Sequence, residues 1–423
     1  MVPNMAGYVE FLRRFLIFFV AVLCLSSATV PKDQQRKITI KSIPCPTHIT
    51  ECSNTTYIIH VIAESTDKQN SMHYLWSVIG SPTIIAAYFD SIDVNVSIDW
   101  NHVLNNNSTK GITFTQTSLH ITALVIPAIY EFQDKKDELF YTEKDVVNTI
   151  VKHGFQDEVT HWEEPEIDHK NNVTTFTGKM LGGTVIFQCN ASAIMDRESI
   201  LPHQQFSSNS TVFTLTLHKL TNLQHKGHTR FIFELVSFSE DDSSTCVTAQ
   251  KSLDDEHTPA VFKTIVINST LGSHSSYCAW KPVAYLKESR KLSNQVPSFS
   301  YFGNQHRFIS NKQCQTLPSS SSTEDFISIV SHLKGNFISS QMNISFGQQK
   351  DGWYDGPEGS RYLTWSAVVG YGTPIKDDFS MLVWLIIFIG FGTPMLLIFI
   401  TIIYVIIKKV KAKKATSSYG MIN

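Results

Sequence analysis

The chain has 423 residues and a formal net charge of −2, and 42% of its residues are hydrophobic. It lacks the basic excess that a nucleic-acid-binding protein needs, so no nucleic-acid partner is expected. Its length suits one large or two ordinary domains with ample hydrophobic core.

The N-terminus has the pattern of a cleaved secretory signal peptide, which we assign to residues 1–28. Arg13 and Arg14 precede an apolar run from Phe15 to Leu25, and small residues follow at the spacing that a signal peptidase prefers. The run is too short to cross a bilayer, so cleavage is favoured over an uncleaved anchor. The region after it is therefore expected in the lumen of the secretory pathway.

Short strand patterns dominate the expected lumenal ectodomain, residues 29–380. The runs are rich in β-branched and aromatic residues and are separated by turn clusters, which is typical of antiparallel strands. We therefore predict an all-β ectodomain of sandwich-like antiparallel sheets with few helices. The predicted strands include Lys37–Ile43, Tyr57–Ala63, Met72–Val78, Thr83–Phe89, Val94–Asp99, Gly183–Cys189, Thr211–Leu217, Arg230–Phe238, Val261–Ile267, Ala279–Tyr285, Ser298–Phe302, Asn343–Gly347 and Tyr362–Gly372.

One helix is predicted within the ectodomain, from Thr142 to Gly154. Thr142 fits an N-cap with Asp145 three residues later, an apolar stripe follows, and Gly154 is suited to end the helix. The acidic stretch from His161 to Asn172 is interpreted as a loop or boundary. It divides the ectodomain into an N-terminal β-rich domain, 29–170, and a C-terminal β-rich domain, 171–380.

The cysteines indicate an oxidising compartment. Of seven, Cys24 lies in the signal segment, and the even number that remains is typical of lumenal disulfides. Six cysteines permit 15 pairings, and the local pair Cys45–Cys52 is the first choice. No cysteine or histidine spacing indicates zinc, so neither a metal site nor a cofactor is predicted. The disulfide candidates are Cys45, Cys52, Cys189, Cys246, Cys278 and Cys314.

Nine Asn-x-Ser/Thr sequons lie in the ectodomain and none lies in the C-terminal tail. This number predicts heavy N-glycosylation, which would give the lumenal surface a bulky hydrophilic coat and shield the backbone from proteases. The predicted sites are Asn54, Asn95, Asn106, Asn107, Asn172, Asn190, Asn209, Asn268 and Asn343.

No catalytic motif for proteolysis, ester hydrolysis, nucleotide binding or dinucleotide binding is present, and no catalytic residue is assigned. The sharpest carboxylate cluster is Asp254-Asp255-Glu256. As calcium ligands these residues would need further oxygens, and adjacent residues in a strand point to opposite faces. A turn or a structural network is the favoured interpretation.

A transmembrane helix is predicted at Met381–Ile407, a run of 27 residues without a charge. Asp377 and Asp378 precede it and a lysine cluster follows it, so the positive-inside rule assigns residues 408–423 to the cytosol. The chain is then a type I, single-pass protein in contact with membrane lipid. Within the span, Gly390 and Gly392 would let a second helix approach closely, and Pro394 could kink the helix. Bending or tilt of a long span is an equal alternative.

The cytosolic tail ends in a candidate sorting motif. Tyr419 and Ile422 have the tyrosine-x-x-hydrophobic spacing that cytosolic clathrin adaptors bind as an extended strand. The two side chains would fill two pockets, with main-chain hydrogen bonds fixing their separation.

Six blocks of sequence carry a family resemblance. They are MHYLWSVIG (Met72–Gly80), SLDDEHTPAVF (Ser252–Phe262), WKPVAY (Trp280–Tyr285), NISFG (Asn343–Gly347), YLTWSAVVGYGTP (Tyr362–Pro374) and the terminal Tyr419–Asn423. In this order, and with the same plan of signal, glycosylated lumenal region, one span and short tail, the chain resembles the glycosylated lysosomal membrane protein family.

The resemblance implies an accessory role without catalysis. Members of that family are heavily glycosylated partners of a multi-span lysosomal transporter of the major facilitator superfamily, one that exports dipeptides. They keep the transporter from degradation by lysosomal proteases and support its localisation. We therefore expect a non-enzymatic lysosomal membrane protein with its ectodomain in the lumen. The alternatives are a membrane-tethered lumenal hydrolase and a cell-surface adhesion receptor.

Overall fold

The computed structural model describes most of the chain. The chain divides into two units, one of Met1–Lys251 with Lys263–Ile375 and one of Ser252–Phe262 with Lys376–Asn423. The predicted signal peptide lies outside the described residues. These are 35–419, apart from 54, 106–110, 140–149, 222, 225–227, 252–260, 262, 303–306, 310–312, 321–327, 352–361 and 376–380.

The first unit is built almost entirely of strands. Its first thirteen are β1 (Arg36–Pro44), β2 (Tyr57–Ser65), β3 (Ser71–Ser77), β4 (Thr83–Phe89), β5 (Val96–Ile98), β6 (Ile112–Phe114), β7 (His120–Val125), β8 (Ala128–Gln133), β9 (Ile150–Gly154), β10 (Val159–Trp162), β11 (Glu166–Asp168), β12 (Val173–Met180) and β13 (Gly183–Ala191).

The remaining strands of this unit complete two layers. They are β14 (Asp196–Arg197), β15 (Gln205–Phe206), β16 (Ser210–His218), β17 (Thr229–Glu240), β18 (Ser244–Lys251), β19 (Lys263–Leu271), β20 (His274–Trp280), β21 (Val283–Tyr285), β22 (Gln295–Phe302), β23 (Arg307–Phe308), β24 (Gln315–Thr316), β25 (Ser319–Ser320), β26 (Phe337–Phe346) and β27 (Leu363–Tyr371). Short helices connect them: α1 (Trp100–Asn105), α2 (Phe155–Glu158), and 3-10 turns at Leu292–Asn294 and Ile329–His332.

The strands form two antiparallel layers, which we name sheet 1 and sheet 2. Sheet 1 runs β1–β2–β3–β4–β7–β17–β26–β22, with β8 beside the first half of β17 and β9 beside β8. Sheet 2 runs β12–β13–β16–β27–β20–β19–β18, with β10 and β11 along its β12 edge. Strand β22 joins the layers because it also pairs with β21 of sheet 2.

The main core lies between the two sheets and is centred on Trp365. Its ring meets the edges or faces of Phe213, Trp280 and Phe233 at centroid distances of 5.6, 5.8 and 6.2 Å. All four side chains are essentially inaccessible to solvent. Burial of each apolar side chain contributes about 2–3 kcal/mol, and edge-to-face aromatic pairs add about 1 kcal/mol each. This core is formed by the alternate residues of each strand whose side chains point inward from the two sheets.

A second core covers the outer face of sheet 1. Leu75, Ile85 and Phe89 point to this face, and they pack beneath Trp100 of α1 and Val330 of the second 3-10 turn. The central strands of sheet 1 are therefore buried on both sides, which explains why their sequences are almost continuously apolar.

A β-hairpin lies on the outer face of sheet 2. Strands β14 and β15 pair with each other, and Phe206 of β15 packs on Val212, Tyr277 and Val368 of the sheet. We name residues 194–206 the outer hairpin. It covers the apolar side chains Val212, Tyr277 and Val368 on this face.

The predicted fold class is confirmed: antiparallel strands dominate and one apolar helix follows at the C-terminus. The predicted helix at 142–154 is wrong where the structure describes it. Residues Ile150–Gly154 form β9, with Ile150 opposite Phe132 and His153 opposite Ile129. Residues 142–149 lie outside the described part.

The acidic stretch interpreted as a loop contains strand β11, and β10 ends within it. Glu166 pairs opposite Thr175, and Trp162 pairs opposite Gly178 on β12. A Cβ at Gly178 would lie 2.9 Å from the Trp162 ring, so glycine allows this close approach. Strand β17, after residue 170, hydrogen-bonds with β7 and β8, before it. The division of the ectodomain into two domains at residue 170 remains a prediction.

The second unit contains the helix α3 (Met381–Tyr419). Within it, Ile389–Ala412 has a mean hydropathy of 2.3 and no buried residues, so it is long and apolar enough to cross a membrane. Pro394 lies inside the helix, and open space surrounds Gly390 and Gly392. Among the described residues, the apolar C-terminal helix predicted from sequence as a membrane span is therefore confirmed.

Candidate functional site

The sequons within strands project outward from the sandwich. Cys189 and Ile267 point into the main core, so the adjacent Asn190 and Asn268 point to the outer face of sheet 2. By the same alternation, Asn343 of β26 lies on the outer face of sheet 1. The two broad faces of the ectodomain therefore both carry candidate glycan positions.

Three more sequons lie at turns or strand approaches. Asn95 is exposed just before β5, and Asn172, with a φ of 56°, turns the chain into β12. Asn209 lies in the turn before β16. The other predicted sites, Asn54, Asn106 and Asn107, lie outside the described residues. Glycan occupancy at all nine sequons remains a prediction.

Asn209 is held by a buried arginine. Arg36 Nε donates to Asn209 Oδ1 at 2.7 Å, while its other nitrogens donate to Ala63 O at 2.9 Å and Asn70 Oδ1 at 2.7 Å. The side chain of Arg36 is only 3% exposed. Because the glycan is attached through the amide nitrogen, the contact at Oδ1 leaves the attachment atom available. The arginine thus orients the sequon.

The structure pairs four of the six candidate cysteines. Cys45–Cys52 and Cys246–Cys314 form disulfides, with Cα atoms 5.7 and 5.5 Å apart. Cys189 and Cys278 are buried free thiols, so the expectation that these two are disulfide-bonded is not met. They lie on strands separated by three inter-strand steps of sheet 2, about 14 Å, which exceeds the reach of a disulfide.

A serine, a histidine and a carboxylate meet between the sheets. Ser276 Oγ lies 2.9 Å from His120 Nε2, and Glu240 Oε2 lies 3.1 Å from His120 Nδ1, out of line for a hydrogen bond. These residue types resemble the triad of serine hydrolases. Ser276 and His120 are each only 1% exposed, however. A substrate cannot reach the serine without separation of the sheets, so we interpret the cluster as a buried structural network.

A pair of histidines is buried beneath the cover of sheet 1. His60 Nε2 and His73 Nδ1 lie 2.8 Å apart, and Ser71 Oγ lies 3.0 Å from the other nitrogen of His73. Burial, with a contribution from the charge of Lys41, lowers the pKa of His60 to about 4. Burial and the neighbouring His60 lower the pKa of His73 to about 3. Both rings therefore stay neutral in an acidic organelle near pH 5.

A buried carboxyl group lies at the outer hairpin. Burial raises the pKa of Glu198 to about 7, although the positive charge of Arg290 opposes the rise. No described residue donates a hydrogen bond to its Oε2 atom. Arg290 also donates to Leu201 O at 2.9 Å, which joins the turn before β22 to the tip of the hairpin.

The charge-rich clusters of the ectodomain are structural. Arg230, 1% exposed, donates to Asp134 Oδ2 at 2.7 Å and to Asp351 Oδ1 at 2.7 Å, and also pairs with Asp137. Along the described part of the chain, no group of three metal-ligating side chains is placed to hold an ion. The sequence cluster Asp254–Glu256 lies outside that part.

The sorting motif is only partly described. Tyr419 is the last residue of α3, and Ile422 lies outside the described residues. Sequence patterns do not reveal the Ser276–His120 and Arg36–Asn209 contacts. The residues of these two pairs are 156 and 173 positions apart, and no motif marks them.

Comparison with known proteins gives one family over most of the chain. A family model described as Glycosylated lysosomal membrane protein matches residues 57–412. The chain is 25% identical to Glycosylated lysosomal membrane protein B of Xenopus laevis, covering 92% of this chain and 94% of that protein. Identity to the Danio rerio protein is 23%, covering 80% and 82%, and to the Homo sapiens protein 22%, covering 81% of each.

Among solved structures, the glucosidase II alpha subunit aligns at 8% identity with a TM-score of 0.16, covering 82% of this chain and 33% of that chain. A score this low supports no inference about fold or activity. The match to the family model, the all-β ectodomain and the single C-terminal apolar helix agree with one another. The chain belongs to the glycosylated lysosomal membrane protein family.

Proposed function

We propose that this protein is a non-enzymatic accessory subunit of a multi-span lysosomal transporter of the major facilitator superfamily, one that exports dipeptides. It binds the transporter, protects it from lysosomal proteases and supports its localisation. The observation that carries the proposal is the placement of sequons on both outer faces of a densely packed sandwich.

The ectodomain is suited to a protease-rich compartment. A protease cleaves a chain that opens locally, and antiparallel strands buried on both faces open rarely. The disulfide Cys246–Cys314 further ties β18 to the segment before β24. Glycans on Asn190, Asn268 and Asn343 would add a hydrophilic layer over the same surfaces. A subunit of this kind can persist in the lysosome and cover lumenal loops of a neighbour.

The span offers a means of attachment to the transporter. A Cβ placed at Gly390 or Gly392 would meet no atom within 4 Å, so the backbone of another helix can approach closely there. Pro394 lacks a backbone N–H and allows a bend at this level. Such a surface suits packing against helices of a polytopic partner.

The tail supplies delivery to the lysosome through clathrin adaptors. Adaptors bind the tyrosine motif as an extended segment. Tyr419 ends the helix and Gly420 follows it in sequence, so adoption of the extended form requires little loss of helix. Tyr419→Ala should leave the protein folded and shift it toward the cell surface. Lysosomal delivery equal to that of the unsubstituted chain would rule out this motif.

The accessory role is tested by deletion and rescue. Mild-detergent purification of the full chain from lysosomal membranes should recover one polytopic transporter, and deletion should shorten the half-life of that transporter. Rescue with Gly390→Leu and Gly392→Leu should restore lysosomal delivery but recover less transporter, whereas Thr401→Leu, which adds bulk elsewhere in the span, should recover it fully. A transporter half-life unchanged by deletion contradicts the proposal.

A further inference from the structure

A histidine ring of sheet 1 is buried between two carboxylate groups. His153 of β9 is only 3% exposed. Its Nε2 lies 3.0 Å from Glu131 Oε2 on β8, and its Nδ1 lies 3.3 Å from Glu158 Oε1 of α2. Glu131 is wholly buried, whereas Glu158 is 37% exposed. The ring therefore ties strand β8 to the helix that follows β9.

The contacts of this ring identify its charged form. Glu131 Oε2 also accepts a hydrogen bond from the backbone N–H of Gln224 at 3.0 Å, so this oxygen acts as an acceptor. A neutral imidazole has one N–H, and its other nitrogen would place a lone pair against a carboxylate oxygen. The protonated ring has two N–H groups and donates to both carboxylates. Both contacts of His153 are therefore hydrogen bonds only when the ring holds a proton.

The pKa of His153 supports the charged form. Burial lowers this pKa, but the hydrogen bonds and negative charges of Glu131 and Glu158 outweigh burial and raise it above its ordinary value of 6.5. In an organelle near pH 5 the ring is therefore protonated.

The other charged groups around the ring do not oppose its protonation. Asp157 of α2 lies beside Gly154, where a Cβ would be 3.1 Å from the Asp157 Oδ2 atom. Lys152, the neighbour on β9, points to the opposite face of the strand, where its Nζ lies 3.1 Å from Glu234 Oε2. The described groups that face His153 from β8 and α2 are thus acidic.

The ring lies near the start of a segment that crosses between the two sheets. Strand β9 pairs with β8 of sheet 1, and β10 pairs with β12 of sheet 2. Between them, Phe155 of α2 is fully buried in the main core, and its N–H donates to Pro127 O at 3.0 Å. We name residues 150–162 the crossover segment. The contacts of His153 add to the β9 ladder in attaching this segment to sheet 1.

We propose that His153 is a proton-operated clamp, which holds the crossover segment on sheet 1 in an acidic lumen and loosens it when the ring is deprotonated. Because folding raises the pKa of His153, the stabilisation is fully present below pH 6.5 and is lost as pH rises through the raised pKa. Deprotonation removes one of the two hydrogen bonds and the positive charge between the carboxylates. A segment that opens rarely is a poor protease substrate, so the clamp is tightest where lysosomal proteases act.

Hydrogen exchange of the full glycosylated chain in detergent tests the clamp. Rates are measured at pH 5 and pH 8 and are corrected for the intrinsic pH dependence of exchange. Amides of residues 150–158 should open about tenfold more often at pH 8, the factor that corresponds to one pKa unit. Equal opening of these amides at the two pH values would overturn the proposal.

Three variants assign the effect to the ring. His153→Gln cannot take up a proton, so the opening of residues 150–158 should become equal at the two pH values. Glu158→Gln, at the exposed carboxylate, should keep the fold and reduce the change to about threefold. His161→Gln replaces an exposed histidine of β10 and should retain the full change.

The Glu158→Gln variant decides the question if His153→Gln does not fold. An undiminished pH dependence in the Glu158→Gln variant would overturn the assignment to this clamp. The inference concerns the ectodomain itself and goes beyond the accessory role. Because the chain is measured without a transporter, failure of the clamp leaves the accessory role standing, and failure to recover a transporter leaves the clamp standing.

Discussion

Arg36 donates a hydrogen bond from Nε to Asn209 Oδ1 at 2.7 Å, joining the first strand of sheet 1 to a sequon turn of sheet 2. The two residues are 173 positions apart, and the arginine is almost wholly buried. A glycosylation signal is thus part of the packing of the sandwich. Loss of this asparagine removes both a sugar attachment site and one of the acceptors of a buried charge.

Two replacements of Asn209 separate these effects. Asn209→Asp removes the sequon but keeps an acceptor for Arg36, whereas Asn209→Ala removes both. We expect the alanine variant to be less stable than the aspartate variant by about 2 kcal/mol, because a hydrogen bond to a charged group is lost. Denaturant unfolding of the two unglycosylated proteins measures the difference. Equal midpoints would show that the contact contributes nothing.

The outer hairpin should be more stable in acid than at neutral pH. Burial raises the pKa of Glu198 from 4.5 to about 7, so the protonated form favours the folded state, and this advantage is lost as pH rises through 7. Glu198→Gln, which carries no charge, should stabilise the hairpin by about 3 kcal/mol at pH 7.5 but by only about 1 kcal/mol at pH 5.

Hydrogen exchange of the outer-hairpin amides at the two pH values provides the measurement. Glu288→Gln, at an exposed glutamate in the neighbouring turn, is the matched control and should leave the pH dependence unchanged. The same pH dependence in the Glu198→Gln variant as in the unsubstituted chain would argue against ionisation of this carboxyl.

The histidine pair should act in the opposite direction. Burial lowers the pKa of His60 to about 4 and of His73 to about 3, so the unfolded chain takes up protons first as pH falls below 6.5. Each ring should then reduce the free energy of unfolding by about 2 kcal/mol between pH 7 and pH 5.

Replacement of both histidines by glutamine should make the free energy of unfolding fall less between pH 7 and pH 5, whatever its effect on stability at pH 7. Denaturant unfolding at a series of pH values gives the slope directly. His169→Gln changes an exposed histidine and should keep the slope of the unsubstituted chain. An unaltered slope in the double variant would contradict the assignment to His60 and His73.

The two disulfides should contribute unequally. Cys246–Cys314 closes a sequence separation of 68 residues and Cys45–Cys52 one of 7. On the chain-entropy account, their removal by paired alanine substitution should reduce stability by about 4 and about 2 kcal/mol, respectively. Non-reducing peptide mapping should also show Cys189 and Cys278 alkylated only after unfolding. A peptide that links these two cysteines would refute the pairing described here.

Much of the strand pattern could be predicted because it depends on local sequence. Arg230–Phe238 and Tyr362–Gly372 are rich in β-branched and aromatic residues, and both form central strands. Val173–Met180 was missed although it alternates buried and partly exposed positions. Its threonines and Gly178 weaken the apolar pattern on which the prediction relied.

The wrong helix and the missed contacts have a common cause. Ile150 and Val151 fit the apolar stripe of a helix, but they form a strand because pairing with β8 provides hydrogen bonds that the local sequence does not reveal. Likewise, nothing near Ser276 indicates that His120 faces it across the core. Interactions between distant segments depend on sheet order, which was not predicted.

Strand β22 changes layers within its own length. Gln295 and Pro297 pair with β21 of sheet 2, whereas Ser298 and Tyr301 pair with β26 of sheet 1. The two layers are thus joined both covalently and by hydrogen bonds along β22, so they cannot separate while this strand stays paired on both sides. A mechanical force that separates the layers must first break the hydrogen bonds of β22 with β21 or β26. We therefore expect the sandwich to unfold under force in a single step.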